Sequence, residues 1–317
     1  MNKFLFHIKM NSKENFLSIT FALFLLASAF WISSGWAAGE DLMSPDSVNI
    51  DSAATSASDT VNTRKLDRVV SNSAFKVGEK LSFKVRYGFI KAGEASMEVK
   101  DIVPLGNREA YKIVSTARST GTFDIFFKVR DLVESYIDTK GLYSLKFNKK
   151  LREGSYKFDL LVDYKQDSGK AQVNMIRFHD GDEPLKVKEK KEFEIDTPPY
   201  VLDILASFYY VRTQKLRVGM PLYIMNHDNK KIYDLKVLVQ KRETIKVDAG
   251  KFKCIVVQPV LRGESIFKQK GKLWVWLTDD QYKIPVQMKS AVLVGSITTE
   301  LTGIEGVPLP LPSQVKK

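Results

Sequence analysis

From residue 75 to residue 304, apolar and polar side chains alternate in segment after segment, and no other feature restricts the fold as strongly. Successive side chains of a β-strand point to opposite faces of a sheet, so a two-residue period places the apolar ones on one face. Short runs of this kind, separated by turns rich in Gly, Asn and Asp, are typical of antiparallel sheets with one solvated face. The chain is therefore predicted to be mainly β. The clearest runs are Leu81-Ser82-Phe83-Lys84-Val85-Arg86-Tyr87, residues 156–164 and residues 233–239.

One segment departs from this alternation and predicts a single helix over about 199–215. Thr197 is suited to be its N-cap, and the prolines that follow are tolerated in a first helical turn. Basic residues near the end of the segment suit the helix dipole. The helix is expected to pack on the sheet, because its apolar residues recur three and four positions apart: Val201, Ile204, Leu205, Phe208 and Val211.

The helix divides the body into two β halves, residues 74–196 and 216–305, of one domain. The halves open with similar pentapeptides, residues 77–81 and 218–222, which are too short to prove a duplication. We expect an antiparallel curved sheet or an incomplete barrel that wraps the helix. The charged run from Lys186 to Glu192 predicts a solvated edge strand or loop.

The first 37 residues have the pattern of a signal peptide, with a basic start, an apolar run over 16–32 and small residues at Gly35 and Ala37. Cleavage predicts a periplasmic protein; the alternative is an uncleaved segment that anchors the chain in the inner membrane. Residues 38–73 are poor in large apolar side chains and predict a disordered linker. Residues 306–317 predict an extended surface tail, because three prolines exclude an interior strand.

The chain carries a formal charge of +12, and removal of the leader, with three lysines and one glutamate, leaves about +10. The lysines are dispersed over the body, which favours solubility and a weak peripheral attraction to anionic membrane surfaces. No recognition helix, zinc finger or stacking motif accompanies the charge, so nucleic-acid binding is not predicted. A single cysteine, Cys254, excludes an intramolecular disulfide and a thiolate metal site.

No nucleotide-binding loop, nucleophile elbow or zinc-protease helix is present in the sequence. His179 and His227, each followed by Asp, are candidates for acid–base or metal chemistry, but turn composition explains them equally well. Asp279-Asp280 is a candidate carboxylate pair, although adjacent residues at a strand end point apart. The sequence therefore predicts no catalytic residue, no metal site and no cofactor.

Trp274 and Trp276 share one face of a predicted strand and are candidates to line a ligand groove or to stack on sugar rings. The alternative is that both faces of the sheet are buried at this point, under the helix. Phe208 and Tyr209, on the predicted helix, complete the set of candidate ligand-binding residues.

Six ordered motifs of the body resemble a family of exported bacterial proteins catalogued as domain of unknown function 3108. The resemblance covers nearly all of residues 75–304. It implies a signal-bearing envelope protein with a β-rich fold, and it carries no activity or catalytic residue. The motifs are Phe75-Lys76-Val77-Gly78-Glu79-Lys80-Leu81, Tyr87-Gly88-Phe89-Ile90-Lys91-Ala92-Gly93, Val129-Arg130-Asp131 with Glu134-Ser135, Asp203-Ile204-Leu205-Ala206-Ser207-Phe208-Tyr209-Tyr210-Val211-Arg212, Ala249-Gly250-Lys251-Phe252 and Lys272-Leu273-Trp274-Val275-Trp276-Leu277-Thr278-Asp279-Asp280.

Three functional hypotheses follow from these observations. The first is a non-enzymatic periplasmic binding or carrier protein, whose curved sheet and helix enclose an apolar groove for a lipid or another amphipathic envelope molecule. The second is a hydrolase of envelope polysaccharide that uses Asp279, Asp280 or the histidines. The third is an outer-membrane β-barrel, which shows the same alternation but fits poorly with an internal helix and a proline-rich end.

Overall fold

A computed structural model describes residues 63–181, 183–261, 272–291 and 296–316. The first half of the body contributes eight strands and the second half contributes six. The strands are β1 (Lys80–Tyr87), β2 (Ile90–Leu105), β3 (Arg108–Ser119), β4 (Arg130–Asp138), β5 (Ser144–Glu153), β6 (Tyr156–Lys165), β7 (Lys170–Phe178), β8 (Val187–Asp196), β9 (Leu222–Asp228), β10 (Lys231–Val247), β11 (Gly250–Leu261), β12 (Leu273–Thr278), β13 (Pro285–Ala291) and β14 (Ser296–Glu305).

All fourteen strands belong to one sheet, in the order β8-β7-β6-β5-β4-β3-β2-β1-β14-β13-β12-β11-β10-β9, and every neighbouring pair is antiparallel. The first and last strands pair at the centre, so the chain runs outward from β1 to the edge strand β8. It then crosses to the opposite edge at β9 and returns to β14. The predicted mainly β, antiparallel fold is confirmed.

The sheet is strongly curved but is not closed into a barrel. Strands β5 and β9 stand ten places apart in the sheet order, which would separate them by about 48 Å in a flat sheet. The Lys149 ammonium of β5 nevertheless lies 3.0 Å from the Asp228 carboxylate of β9. The Lys230 ammonium, in the turn after β9, also lies 5.9 Å from the Phe193 ring of the edge strand β8, so the two edges approach each other across an open seam.

The core fills the inner face of this curved sheet and includes most of the helix α2 (Ile204–Thr213). Strands of both halves place the apolar members of their alternating runs against it. A second, small cluster of Val85, Val129 and Ile297 lies at one end of the central strands. The core is therefore shared by both halves.

The predicted helix is present, but its first and last residues differ from the prediction. Helix α2 begins after Asp203, not after Thr197, because the Asp203 carboxylate accepts a hydrogen bond from the Ala206 amide at 2.8 Å. The residues before it are extended: Leu202 pairs with the edge strand β9 in a parallel bridge. The structure also contains a second helix that was not predicted, the four-residue α1 (Gly121–Asp124).

The last part of the predicted linker is ordered, which corrects the boundary at residue 73. In residues 63–73, the guanidinium of Arg64 donates to the Thr197 carbonyl at 2.7 Å, and that of Arg68 donates to the Gly141 carbonyl at 2.8 Å. Leu66 and Val70 pack against the core. Residues 38–62 and the predicted signal peptide lie outside the described residues.

The proline-rich tail also packs more closely than predicted. Leu311 is part of the core, and Gln314 forms an antiparallel bridge with Phe252 of β11. The Ser313 carbonyl accepts a hydrogen bond from the Lys253 amide at 2.9 Å. The tail is therefore a structural element of the second half and not a loose extension.

The charged run at Lys186–Glu192 falls mostly on the edge strand β8. Of the two predicted alternatives, an edge strand or a loop, the first is therefore present. Charged side chains on an edge strand hinder pairing with other chains. Within the described ranges, neither helix is long and apolar enough to cross a lipid bilayer.

Candidate ligand-binding site

The N-terminal end of α2 is fixed to the first half of the sheet by one buried carboxylate. Asp203 caps the helix with one oxygen, while its other oxygen accepts hydrogen bonds from the hydroxyls of Ser135 at 2.7 Å and Ser144 at 2.5 Å. Burial raises the pKa of Asp203 above its ordinary value, although these hydrogen bonds oppose the shift. The cap thus joins the helix to β4 and β5.

The C-terminal end of α2 is fixed to β1 by a buried ion pair. The Arg212 guanidinium binds both carboxylate oxygens of Glu79, at 2.6 and 2.7 Å, and both side chains are fully buried. The guanidinium also donates to the carbonyls of Ala74 at 3.1 Å and Tyr282 at 3.2 Å. Its central carbon lies 4.9 Å from the centroid of the Tyr209 ring. These contacts satisfy both charges, so the pair acts as a structural clamp.

On strands β5 to β8, the inner face of the sheet carries several apolar residues that are only half buried, beside fully buried core residues such as Leu160 and Val173. Cross-strand pairing aligns Lys149, Leu160, Met175 and Lys191 in one row, so this face runs from the deep core out to the charged edge strand. We call the half-buried apolar residues of this face the inner strip: Leu151, Tyr156, Met175, Phe193 and Ile195.

Charged groups border the inner strip on the side of the seam. The Arg177 guanidinium lies 5.6 Å from the Tyr156 ring, and the Lys230 ammonium lies 5.9 Å from the Phe193 ring. Glu189 pairs with Arg177 across β7 and β8 and forms an ion pair with Lys191. The strip therefore has an apolar floor and a polar rim.

Buried titratable groups lie at the deep side of the strip. Lys149 of β5 and Asp228 of β9 form an ion pair whose side chains are 3% and 7% exposed. Asp131 of β4 and Glu153 of β5, which we call the carboxyl pair, are 4% and 5% exposed. One Asp131 oxygen accepts a hydrogen bond from the Arg152 amide at 2.7 Å, while the other has no donor among the described residues except a protonated Glu153 carboxyl.

Burial makes both groups of the carboxyl pair weaker acids than ordinary carboxyl groups. It raises the pKa of Asp131 to about 7, although hydrogen bonds from the Arg152 amide and Glu153 oppose the shift. Burial and the neighbouring Asp131 charge raise the pKa of Glu153 well above its ordinary value, although Lys149 opposes this. The two carboxyl groups therefore hold at least one proton near neutral pH.

His227 is held neutral beside this cluster. Its Nε2 lies 3.0 Å from the Asn229 carbonyl, which can only accept, so Nε2 carries the proton and donates. Its Nδ1 then accepts a hydrogen bond from the Tyr164 hydroxyl at 2.8 Å. Burial lowers the pKa of His227 to about 4. In this neutral form it can act as a hydrogen-bonding support for the cluster.

The four candidate ligand-binding residues do not form one site. Tyr209 and Phe208 are buried on α2 in the core, where Tyr209 packs against Phe75 at 4.9 Å between ring centroids. Trp274 and Trp276 are half buried on the face of β12 opposite the core residue Val275. The Trp276 indole donates to the Glu243 carboxylate at 2.6 Å.

The candidate acid–base residues have separate structural contacts. Asp279 binds the Arg242 guanidinium at 2.7 Å, whereas Asp280 accepts from the amides of Tyr282 and Ser313 in the turn after β12. His179 is exposed after β7, and His227 is buried on β9. In the part of the chain that the structure describes, neither Asp hydrogen-bonds to either His. Also within that part, no group of three or more metal-binding side chains is present.

A model of one family, described as a protein of unknown function, DUF3108, matches residues 82–302. The match covers well over half of the chain and most of the fourteen-stranded sheet. The chain belongs to this family. The predicted resemblance is therefore confirmed, and no curated protein matches the chain significantly.

Several solved structures resemble this member of the DUF3108 family at low sequence identity. A crystal structure of a β-barrel-like protein of the domain of unknown function DUF1849, from Brucella abortus, has a TM-score of 0.44 and 11% identity, with 75% of this chain and 98% of that chain covered. A proposed exported protein with a YmcC-like fold, from Bacteroides fragilis, has a TM-score of 0.26 and 11% identity, with 75% and 98% covered. A proposed lipoprotein from Parabacteroides distasonis has a TM-score of 0.26 and 13% identity, with 75% and 99% covered. These scores are too low to carry an argument about function.

The DUF3108 motifs account for the clamps on α2. Glu79, Ser135, Asp203 and Arg212 all lie in the motif segments, and each makes one of the buried polar contacts at a helix end. Asp131 also lies in a motif segment, but its neighbour is a second carboxyl group, Glu153, and not a basic side chain. These residues therefore explain the fold more fully than they explain the function.

Sequence reasoning missed the carboxyl pair and Lys149, although a signal for them exists. In β5, Phe147, Lys149, Leu151 and Glu153 occupy one face, so two charged residues stand where the alternation expects apolar ones. Asp131 does the same beside Val133 in β4. A charged residue at an inward position is costly unless it is paired or serves a function.

Proposed function

We propose that this protein is an exported, non-enzymatic binding or carrier protein of the periplasm, and that its ligand is an amphipathic or lipid-like envelope molecule. The observation that carries the proposal is the inner strip, a half-buried apolar surface that ends in a buried polar cluster. Such a surface is complementary to a molecule with an apolar chain and a polar head.

The apolar part of the ligand would lie along the inner strip. Met175, Phe193 and Ile195 are half buried although they face the inside of the sheet, so a bound chain would remove additional apolar surface from water. The basic rim at Arg177, Lys191 and Lys230 would remain in contact with solvent or with a second polar part of the ligand.

The head group would carry hydrogen-bond donors. Once the carboxyl pair has lost the proton that Glu153 donates to Asp131, it contains a buried acceptor that lacks a donor, which costs about 1–3 kcal/mol. A hydroxyl or ammonium group would satisfy this acceptor. An anionic head group would be repelled whenever the carboxyl pair holds a negative charge.

The first test is whether the exported protein carries a ligand. Protein purified gently from an envelope fraction would be extracted with organic solvent, and the extract analysed by mass spectrometry. An amphipathic molecule in stoichiometric amount supports the proposal. Absence of any such molecule, together with no binding of the neutral fluorescent apolar probe N-phenyl-1-naphthylamine, would overturn it.

A matched pair of variants on β8 tests the place of binding. Phe193→Ser changes an inward residue of the inner strip, whereas Glu194→Ser changes its outward neighbour. We expect Phe193→Ser to weaken binding of N-phenyl-1-naphthylamine at least fivefold, and Glu194→Ser to leave it within twofold. Equal affinities for the two variants would exclude the inner strip as the site.

A further inference from the structure

Four large apolar side chains are exposed at one end of the central strands, in two neighbouring turns. Phe89 is 86% exposed and Ile90 is 50% exposed at the start of β2; Ile125 is 80% exposed and Phe126 is 75% exposed after α1. We call these four residues the apolar tip. Large apolar side chains that cluster on a surface mark interaction sites more often than isolated ones do.

The two turns lie at the same end because β1, β2, β3 and β4 are consecutive antiparallel neighbours. Gly93 of β2 stands opposite Ser119 of β3, and the Thr120 amide donates to the Ala92 carbonyl at 3.1 Å. The β1–β2 turn and the connection between β3 and β4 are therefore adjacent.

The backbone beneath the apolar tip is held in place separately from the main core. The small cluster of Val85, Val129 and Ile297 packs under it, together with the half-buried Phe127. The Arg130 guanidinium binds the Asp124 carboxylate at 2.7 Å and so ties α1 to β4. The backbone that carries the apolar tip is therefore held by other residues. The four exposed side chains are not part of the cluster that packs beneath them.

Basic residues surround the apolar tip. Residues 86–94 and 118–130 contain five basic and two acidic residues, which leaves a surplus of three positive charges. The two acidic residues, Glu94 and Asp124, are already engaged by Lys91 and Arg130. Lys91, Arg118 and Lys128 are exposed beside the apolar residues, and the net charge of these two segments remains positive after the ion pairs of Glu94 and Asp124 are counted.

We propose that the apolar tip docks the protein on an anionic lipid surface, with its apolar side chains between the acyl chains and its basic residues against the head groups. Apolar side chains with basic flanks match this interface, where hydrophobic insertion and attraction to anionic lipids add. Four side chains on two turns are too few for a standard protein–protein interface of 20–30 residues a side. The proposal is independent of the ligand of the inner strip.

Vesicle binding by the exported protein tests this proposal. We expect it to sediment with vesicles of phosphatidylglycerol and phosphatidylcholine more strongly than with phosphatidylcholine alone. The double variant Phe89→Ser/Phe126→Ser should bind the anionic vesicles at least tenfold more weakly. The matched control Val187→Ser/Met220→Ser removes two exposed apolar residues elsewhere and should bind like the wild type.

Two results would overturn the proposal. The first is equal vesicle binding by the wild type and the tip variant, both with unchanged thermal unfolding. The second is self-association of the wild type, seen by sedimentation without lipid, that the tip variant abolishes, since this would make the apolar tip a protein interface.

A labelled variant provides an independent measurement of insertion. The chain has one cysteine, Cys254, which is fully buried and whose thiol pKa burial raises to about 12, so it should not react with a maleimide. A polarity-sensitive dye on Phe126→Cys should shift to the blue on anionic vesicles, whereas the same dye on Met220→Cys should not. A dye at Phe126→Cys that stays in a water-like environment on bound protein would contradict insertion.

Discussion

Two buried charged pairs of this protein, Glu79–Arg212 and Asp131–Glu153, differ in whether their charges balance. In the first pair, a carboxylate meets a guanidinium that also satisfies two backbone carbonyls. In the second pair, two carboxyl groups meet, and the nearby Lys149 is already bound to Asp228. Both pairs contain residues of the family motifs.

The difference shows how a buried charged pair with a structural role can be distinguished from one whose protonation changes with pH or with a bound ligand. A buried pair with every donor and acceptor satisfied is stable over a wide pH range, because neither partner gains by changing its protonation. A buried pair of acids must hold a proton, so its state depends on pH and on any ligand that brings a donor. The clamp on α2 is of the first kind, and the carboxyl pair is of the second.

Breaking the balanced pair should have the largest effect on stability. Arg212→Met leaves the buried Glu79 carboxylate without its partner and should lower the free energy of unfolding by about 3–5 kcal/mol. Urea unfolding measures this change. The double variant Glu79→Gln/Arg212→Met should lose less than the single variant, because it leaves no unpaired charge; an equal or larger loss would contradict the clamp.

Changing the carboxyl pair should alter the pH dependence of stability. The pKa of Asp131 is about 7 in the folded state and ordinary, about 4, in the unfolded state. The folded state therefore holds a proton that the unfolded state has released, and this contribution to stability is lost as the pH rises from about 4 through 7. Asp131→Asn cannot lose that proton, so its stability relative to the wild type should rise by about 4 kcal/mol between pH 4 and pH 8.

A control on the outer face of the same strand should show the opposite sign. Burial alone would raise the pKa of Glu134, but hydrogen bonds with Lys112 and Asn148 hold it below its ordinary value. Glu134 thus stabilises the fold above the unfolded pKa, and Glu134→Gln should be more harmful at pH 8 than at pH 3. If Asp131→Asn and Glu134→Gln show the same pH trend in thermal unfolding, the carboxyl pair is not protonated as described.

Removing the support of His227 should have a moderate effect. Tyr164→Phe deletes the hydroxyl that donates to Nδ1 and leaves a buried acceptor unpaired, which should cost about 1–2 kcal/mol. The pKa of His227 is about 4 because of burial, so stability should fall as the pH decreases from about 6.5 to 4, where only the unfolded state takes up the proton. Titration of the His227 ring followed by NMR would refute this assignment if its midpoint were near 6.5.

Breaking an exposed ion pair should have the smallest effect on the free energy of unfolding. Arg242→Met breaks the contact with Asp279 at the surface, and its effect on the free energy of unfolding should be below about 1 kcal/mol. Added salt should reduce even this effect. A loss as large as that of Arg212→Met would show that burial does not set the difference between these pairs.

The alternation of apolar and polar residues predicted the sheet. The places where charged residues interrupt it also indicate the position of the candidate site. Lys149 and Glu153 interrupt the apolar face of β5, and this interruption is readable in the sequence. What could not be read is that Asp228, far along the chain on β9, supplies the partner of Lys149. A two-residue period specifies the face of a strand but not which strand it will meet.

The limits of α2 show the same division. Its apolar spacing predicted a helix, whereas the choice of Asp203 over Thr197 as the N-cap depended on Ser135, Ser144 and β9 being in place. Packing also ordered residues 63–73 and the tail, whose composition predicted loose segments. In each case long-range contacts outweighed the local preference of the chain.

The sequence by itself determined that strands form, which faces they bury and where one helix lies, because these depend on the local period of apolar residues. The tertiary structure alone decided that the first and last strands pair at the centre, that the edges approach across a seam, and which buried charges are balanced. Those outcomes depend on which distant side chains the curvature of the sheet brings together, and such distances are set only when the whole sheet has formed.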